Sequence, residues 1–133
     1  TLTVKMTTDG TTPMGTDAAK ALFDNIYVYL DNGDGVYGTA ADTTAVATIT
    51  NSSISIDPNG SMTIVLTDND TNVQIAANGS KTYFFVGEIA ATASAVASRT
   101  VAAAIQEQYY LEIRDASSNV PVKYARSWLA QER

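Results

Sequence analysis

Apolar side chains return at every second position in one segment after another. The sets are Leu2, Val4 and Met6; Ile26, Val28 and Leu30; Met62, Ile64 and Leu66; Val73 and Ile75; Tyr83 and Phe85; Val101, Ala103 and Ile105; and Tyr109, Leu111 and Ile113. A period of two sends successive side chains to opposite faces, so each segment predicts a half-buried strand. Asp9-Gly10, Asp34-Gly35, Asn59-Gly60 and Asn78-Gly79 stand between segments and tolerate the positive φ of tight turns. Short strands parted by such turns predict an all-β fold, an immunoglobulin-like β-sandwich of about seven to nine antiparallel strands.

Two stretches depart from the rhythm. "TDAAKALF" offers Asp17 as a helix N-cap followed by good helix formers, and "IAATASAVASRTVAAAI" is alanine-rich. Thr92, Ser94, Ser98 and Thr100 interrupt the second run, which predicts a helical turn at most and then a strand carrying Val101, Ala103 and Ile105. In "KYARSWLAQER", Tyr124 and Trp128 at i, i+4 fit either a short amphipathic helix or the overhang of the last strand. With no repeat and no Pro or Gly-Ser linker, residues 1–133 are expected to form a single domain.

Composition narrows the chemistry. The chain has neither Cys nor His, which removes disulfides, thiolate nucleophiles, Ser-His triads and the usual zinc and copper ligands. A non-enzymatic protein is expected. The net charge of −6 argues against binding nucleic acid. Residues 1–122 hold 13 acids and 5 bases, net −8, whereas 123–133 hold Lys123, Arg126 and Arg133 against Glu132, net +2. This asymmetry suits head-to-tail contacts, and equally a solvated terminus. No apolar run approaches the ~20 residues of a membrane span. The chain opens on "TLTVKM" without Met or a signal pattern, the expectation for a chain whose leader has been removed, and secretion is compatible with this.

The densest polar stretch is "LDNGDGVYGTAADTT", residues 30–44. Calcium takes about six to eight oxygen ligands, and Asp31, Asn32, Asp34 and Asp42, with carbonyls from Val36 to Thr39, are its candidate ligands here. The register is not that of an EF-hand, because Leu30 falls where the first Asp belongs and Ala41 where the closing Glu belongs. A bare turn between two strands explains the same residues, and both readings stay open.

"IYVYLDNGDGVYGTAADTT", then "IAANGSKTYFFVGEIAATA" and "LEIRDASSNVPV", resemble a β-sandwich module of bacterial secreted and cell-surface proteins. In that module one strand ends in a "YxDNGDGxF…DT" loop and a later strand reads "AGxSKTxFVVxDIS". The resemblance spans about residues 24–122 and rests on several short motifs in the same order. It implies a structural or adhesive module without catalytic activity and a calcium site in the acidic loop. The loop departs from the pattern at Gly38, where the module commonly carries another Asp, so one implied ligand is missing.

Remaining features have plain readings beside sharper ones. Sequons occur at Asn51, Asn59, Asn69 and Asn78, as chance provides in a Ser/Thr/Asn-rich chain. Two carboxylates suffice for a glycosidase, yet the aspartates sit in turns and Glu88, Glu107 and Glu112 point outward by alternation. Tyr27 and Tyr29 lie on the face opposite Ile26 and Val28, which marks a contact surface or simply a covered sheet rim.

The expectation is therefore a secreted, extracellular or cell-surface structural protein, a subunit of a fibre, pilus-like or surface assembly. Its partner would be itself or another subunit, joined through strand 1–8 or tail 123–133. The alternative is a calcium-stabilised adhesion or carbohydrate-binding module, with a two-carboxylate glycosidase third.

Overall fold

The computed structural model describes residues 1–38, 42–67, 70–93, 101–105 and 111–122. Strand β1 (Leu2–Thr7) is followed by helix α1 (Thr16–Leu22), β2 (Phe23–Leu30), β3 (Ala45–Thr50), a 3-10 turn (Asn51–Ser53), β4 (Ser61–Ile64), β5 (Tyr83–Ile89) and β6 (Ala102–Ala104). They form two three-stranded antiparallel sheets, ordered β4-β1-β6 and β3-β2-β5. The protein is mostly β, as expected, with six strands among the described residues instead of seven to nine.

The alternating sets account for the core. Leu2, Val4, Met6, Met62 and Ile64 from one sheet join Ile26, Val28 and Val46 from the other in a single buried cluster, with Met14, Leu22, Ile54 and Ile56 from the connections. Burying a side chain of this size contributes roughly 1.5–3 kcal/mol. β1 occupies the middle of its sheet. β4 pairs with Leu2–Lys5 on one side; on the other, β6 pairs with Lys5–Thr7 and Leu111 bridges to Leu2. Segment 1–8 thus takes the plainer of its two expected roles, the first strand of its own sheet.

The departures have local causes. Val73 and Ile75 share a strand-like spacing, but the Val73 and Gln74 amides both donate to the Asp70 carbonyl, winding the segment into a turn. Leu111 and Ile113 form no extended strand: Leu111 makes an isolated bridge to Leu2, Ile113 accepts from the Val122 amide just outside the loop that Arg114 and Pro121 close, and Tyr109 lies outside the described residues. β3 was not anticipated, because a register irregularity opposite Val28 and Tyr29 breaks the rhythm of "AVATIT". The helix forms, but Gly15 is its N-cap and Asp17 sits in its first turn. Thr16 spends its hydroxyl elsewhere, donating to the Ile56 carbonyl at 3.0 Å and accepting from the Ile56 amide at 2.9 Å. The segment 94–100 and the C-terminal "KYARSWLAQER" lie outside the described residues.

Gly60 shows why one turn needs glycine. Its φ is +83°, and a Cβ there would stand 2.6 Å from the Met6 carbonyl oxygen. The same approach lets the Met6 amide donate to the Gly60 carbonyl at 2.8 Å, tying the turn before β4 onto β1.

Candidate functional site

The loop leaving β2 is built by its own aspartates. Asp31 Oδ1 accepts from the amides of Gly33 (3.0 Å) and Gly35 (3.2 Å). Asn32 Oδ1 accepts from the Asp34 amide (3.0 Å), and Asp34 Oδ1 from the Val36 amide (2.8 Å). Asp42, buried, closes the loop by accepting from the amides of Asn32 and Gly38, each at 3.2 Å. Gly33, Gly35 and Gly38 have positive φ, which lets successive amides point inward.

This folding brings three of the four candidate ligands together. One carboxylate oxygen from each of Asp31, Asp34 and Asp42 lies within 4.8 Å of the others, a separation compatible with a common ion at the 2.3–2.6 Å distances calcium prefers. Asn32 is in the same loop, with its amide oxygen on the Asp34 N–H. Thr39, the last of the candidate carbonyl donors, lies outside the described residues. The carboxylates and hard-oxygen chemistry fit a calcium ion; the hydrogen bonds also make a complete turn.

Turn-building by aspartate recurs across the molecule. Asp57 Oδ1 accepts from the amides of Asn59 and Ser61, and Asp70 Oδ1 from that of Asn72, each at 2.8 Å. Asp9 takes the amides of Thr11 and Thr12 with both hydroxyls, and Asp115 those of Ser117 and Ser118 likewise. The Thr12 amide, then the threonine hydroxyls and Thr11 amide, hold the Asp9 carboxyl well below its usual range. The Ser117 hydroxyl and the Ser118 amide do the same for Asp115. A folded-state pKa below the unfolded value of about 3.9 gives stability that is present above that value and lost as pH falls through the folded one. The advantage of wild type over Asp9→Asn and Asp115→Asn should therefore begin to shrink below about pH 5 and keep shrinking down to about pH 2. Thermal melts across that range check this; a pH-independent difference would contradict it.

A second feature lies on the outer face of sheet β3-β2-β5. Tyr27 and Tyr29 stack with ring centroids 5.3 Å apart, Tyr37 from the acidic loop follows at 5.9 Å, and Phe84 of β5 at 5.6 Å from Tyr37. Glu88 Oε2 accepts from the Tyr27 hydroxyl (3.1 Å) and from Asn25 Nδ2 (2.6 Å) at one end of the row. Desolvation, then that hydrogen bond, raises the Tyr27 pKa. The sequence singled out Tyr27 and Tyr29; Tyr37 and Phe84 join them only through the loop path and the pairing of Tyr29 with Phe84.

The third is an open cleft of about 470 Å³, walled by β3 (Ala45–Ile49) and by β4 with its extension (Met62, Thr63, Ile64, Val65, Thr67), with Ser53 and Ser55 between. Among the described residues β3 and β4 are edge strands of different sheets.

Of the outward carboxylates, Glu88 and Glu112 are exposed, and Glu107 lies outside the described residues. The sequon residue Asn51 is fully engaged: its Nδ2 donates to the carbonyls of Lys20 and Phe23, both at 2.7 Å, capping α1. Glycosylation would replace one of those two hydrogens. Asn59 and Asn78 are exposed in turns, and Asn69 lies outside the described residues. Among the described residues no helix is long and apolar enough to cross a membrane. No family model, curated protein or solved structure matches the chain.

Proposed function

We propose that the protein is a non-enzymatic structural subunit of an extracellular or cell-surface assembly, a fibre or pilus-like array, built as an immunoglobulin-like sandwich joined to its neighbours by strand addition. The observation that carries this reading is the cleft between two edge strands. An edge strand presents unpaired backbone N–H and C=O groups, and natural monomers guard such edges with Lys, Pro, bulges or a covering element. β3 ("AVATIT") and β4 ("SMTI") contain no charge and no proline; among the described residues, the irregularity near Val46 is the one guard. Val65, just beyond β4, is 73% exposed. A strand laid here gains main-chain hydrogen bonds and buries side chains between the sheets. The extracellular setting rests on the resemblance of the loop and strand motifs to secreted modules.

Electron microscopy of concentrated wild-type protein is expected to show fibres or particles. Placing charges in the cleft with Ser55→Lys and Val65→Lys, both at exposed positions, should abolish them without changing the melt. A wild-type protein that stays monomeric at high concentration would defeat the proposal.

Calcium belongs to the same proposal as a brace for the loop between β2 and β3, held by Asp31, Asp34 and Asp42. Free calcium at 100 times its dissociation constant should then add about 2.7 kcal/mol to the native state. Asp34→Ala should cancel that gain. A melt indifferent to calcium and to chelator would leave Asp31, Asn32, Asp34 and Asp42 as turn residues only.

The aromatic row favours a second reading, an adhesion or carbohydrate-binding module. Aromatic faces with a flanking Asn and Glu suit sugar C–H faces and hydroxyls. A monomer whose glycan binding is lost in Tyr29→Ala would favour this reading over assembly.

A further inference from the structure

We propose that the outer face of sheet β3-β2-β5 binds a linear glycan whose sugars carry amines, an amino-sugar polymer; this inference rests on the carbohydrate-binding reading above and names its ligand. The register of β2 and β5 defines the face. Asn25 pairs with Glu88, Tyr27 with Val86 and Tyr29 with Phe84, so these side chains share one surface, opposite the one that sends Ile26 and Val28 into the core. Tyr37 folds onto it from the acidic loop and packs against Tyr29 and Phe84.

The backbone narrows the class of ligand. β2 lies in the middle of its sheet, paired to β3 on one side and to β5 on the other. The centre of the face therefore has no main-chain groups to give an added peptide strand. It offers ring surfaces, one amide and one carboxylate, which suit sugar C–H faces and polar substituents.

Charge then selects among sugars. Glu88 stands at one end of the aromatic row, and Tyr37, toward the other, belongs to the loop that holds Asp31, Asp34 and Asp42. Glu88 takes the bonds from Asn25 and Tyr27 on Oε2, and among the described residues its Oε1 accepts none. The described cations sit elsewhere: Lys5 on β1 of the other sheet, Lys20 on the Ser52 carbonyl, Lys81 on the Thr71 carbonyl and Arg114 on Glu112. A carboxylate beside ring faces, with no described ammonium or guanidinium to neutralise it, attracts a cation through its charge and the ring quadrupoles together. The same field, in a chain of net charge −6, repels uronates and sulfated sugars. A polymer with an amine on every sugar meets rings and carboxylates at once.

Calorimetric titration of the whole chain tests this, using β-linked oligomers of glucosamine and of glucose, matched in length, in mildly acidic buffer. The glucosamine oligomer should bind at least about fivefold more tightly. Glu88→Gln, which keeps an acceptor for Asn25 and Tyr27 but removes the charge, should bring the two affinities within about twofold, and so should raised salt. Tyr37→Ala, at a position 48% exposed, should weaken both oligomers at least about threefold without changing the melt. Equal affinity for the two oligomers, a preference for glucose, a preference that survives Glu88→Gln, or full binding in Tyr37→Ala overturns the inference while the carbohydrate reading stands. Oligolysine of equal charge bound as tightly as the glucosamine oligomer overturns it too, because the face then reads charge alone. If neither oligosaccharide binds, both fall.

Discussion

Replacing Ile26 with alanine is expected to lower the unfolding free energy by about 2–5 kcal/mol, the range for truncating a buried Ile without collapse of the site. Ile26 is fully buried near the middle of β2, paired with Ile49 of β3 and Gly87 of β5, so the cavity opens where both neighbouring strands meet the core. The Phe23 ring leans over Gly87, where a Cβ would stand 2.6 Å from it, so the backbone there cannot readily move inward to fill the space. Against a typical total of about 5–15 kcal/mol, such a loss brings the domain close to unfolding at 37 °C. Ile89→Ala, at a position 63% exposed at the end of β5, should change stability by only about 0.5 kcal/mol or less. Urea denaturation of the two variants compares them directly. Equal losses would mean that the two-residue rhythm does not define the inside of this protein.

The second large effect is expected at Asn51. Among the described residues its amide is the side chain that donates to the carbonyls of both Lys20 and Phe23, which helix α1 leaves without intrahelical partners at its C-terminal end. In Asn51→Ala two part-buried acceptors lose a donor, and each such loss costs about 1–3 kcal/mol where water cannot replace the bond. A destabilisation of about 2–4 kcal/mol is expected. Asn51→Asp, which keeps the shape and reverses the hydrogen-bonding role, should be at least as harmful at neutral pH because it sets a carboxylate against two carbonyl oxygens. Thermal melts of both variants check this, and a harmless Asn51→Asp would show that the side chain does not cap the helix.

Much of the core could be read from the sequence because alternation is a local signal. Leu2, Val4, Met6, Ile26, Val28, Met62 and Ile64 all reach the interior. β3 escaped because its irregular pairing with β2 disturbs the period, although Val46, Thr48, Ile49 and Thr50 are β-branched and that enrichment pointed to a strand. Val73 and Ile75 misled because spacing carries no information about Asp70, whose carbonyl gathers the following amides into a turn. The N-cap was misplaced because Thr16 bonds a distant backbone, at Ile56, a contact that only the tertiary fold creates.

The acidic loop was legible as a composition and not as a geometry. Asp31, Asn32 and Asp34 are neighbours in the chain, but Asp42 joins them only after the loop returns to begin β3. The cleft was not legible at all. It is a property of two edges, β3 and β4, that follow one another in the chain but belong to different sheets, so only the topology sets them across from each other. Of the two assembly segments expected from the termini, 1–8 is enclosed within its own sheet, and strand addition therefore turns on those edges.

Amide hydrogen exchange, compared between dilute monomer and concentrated protein, tests contact through the cleft most directly. Amides on the outer edges of Ala45–Thr50 and Ser61–Ile64 should gain protection on concentration, while those of β2, already paired on both sides, should stay unchanged. Unaltered exchange along β3 and β4 in assembled material, with protection arising instead around Tyr29 and Phe84, would contradict the account.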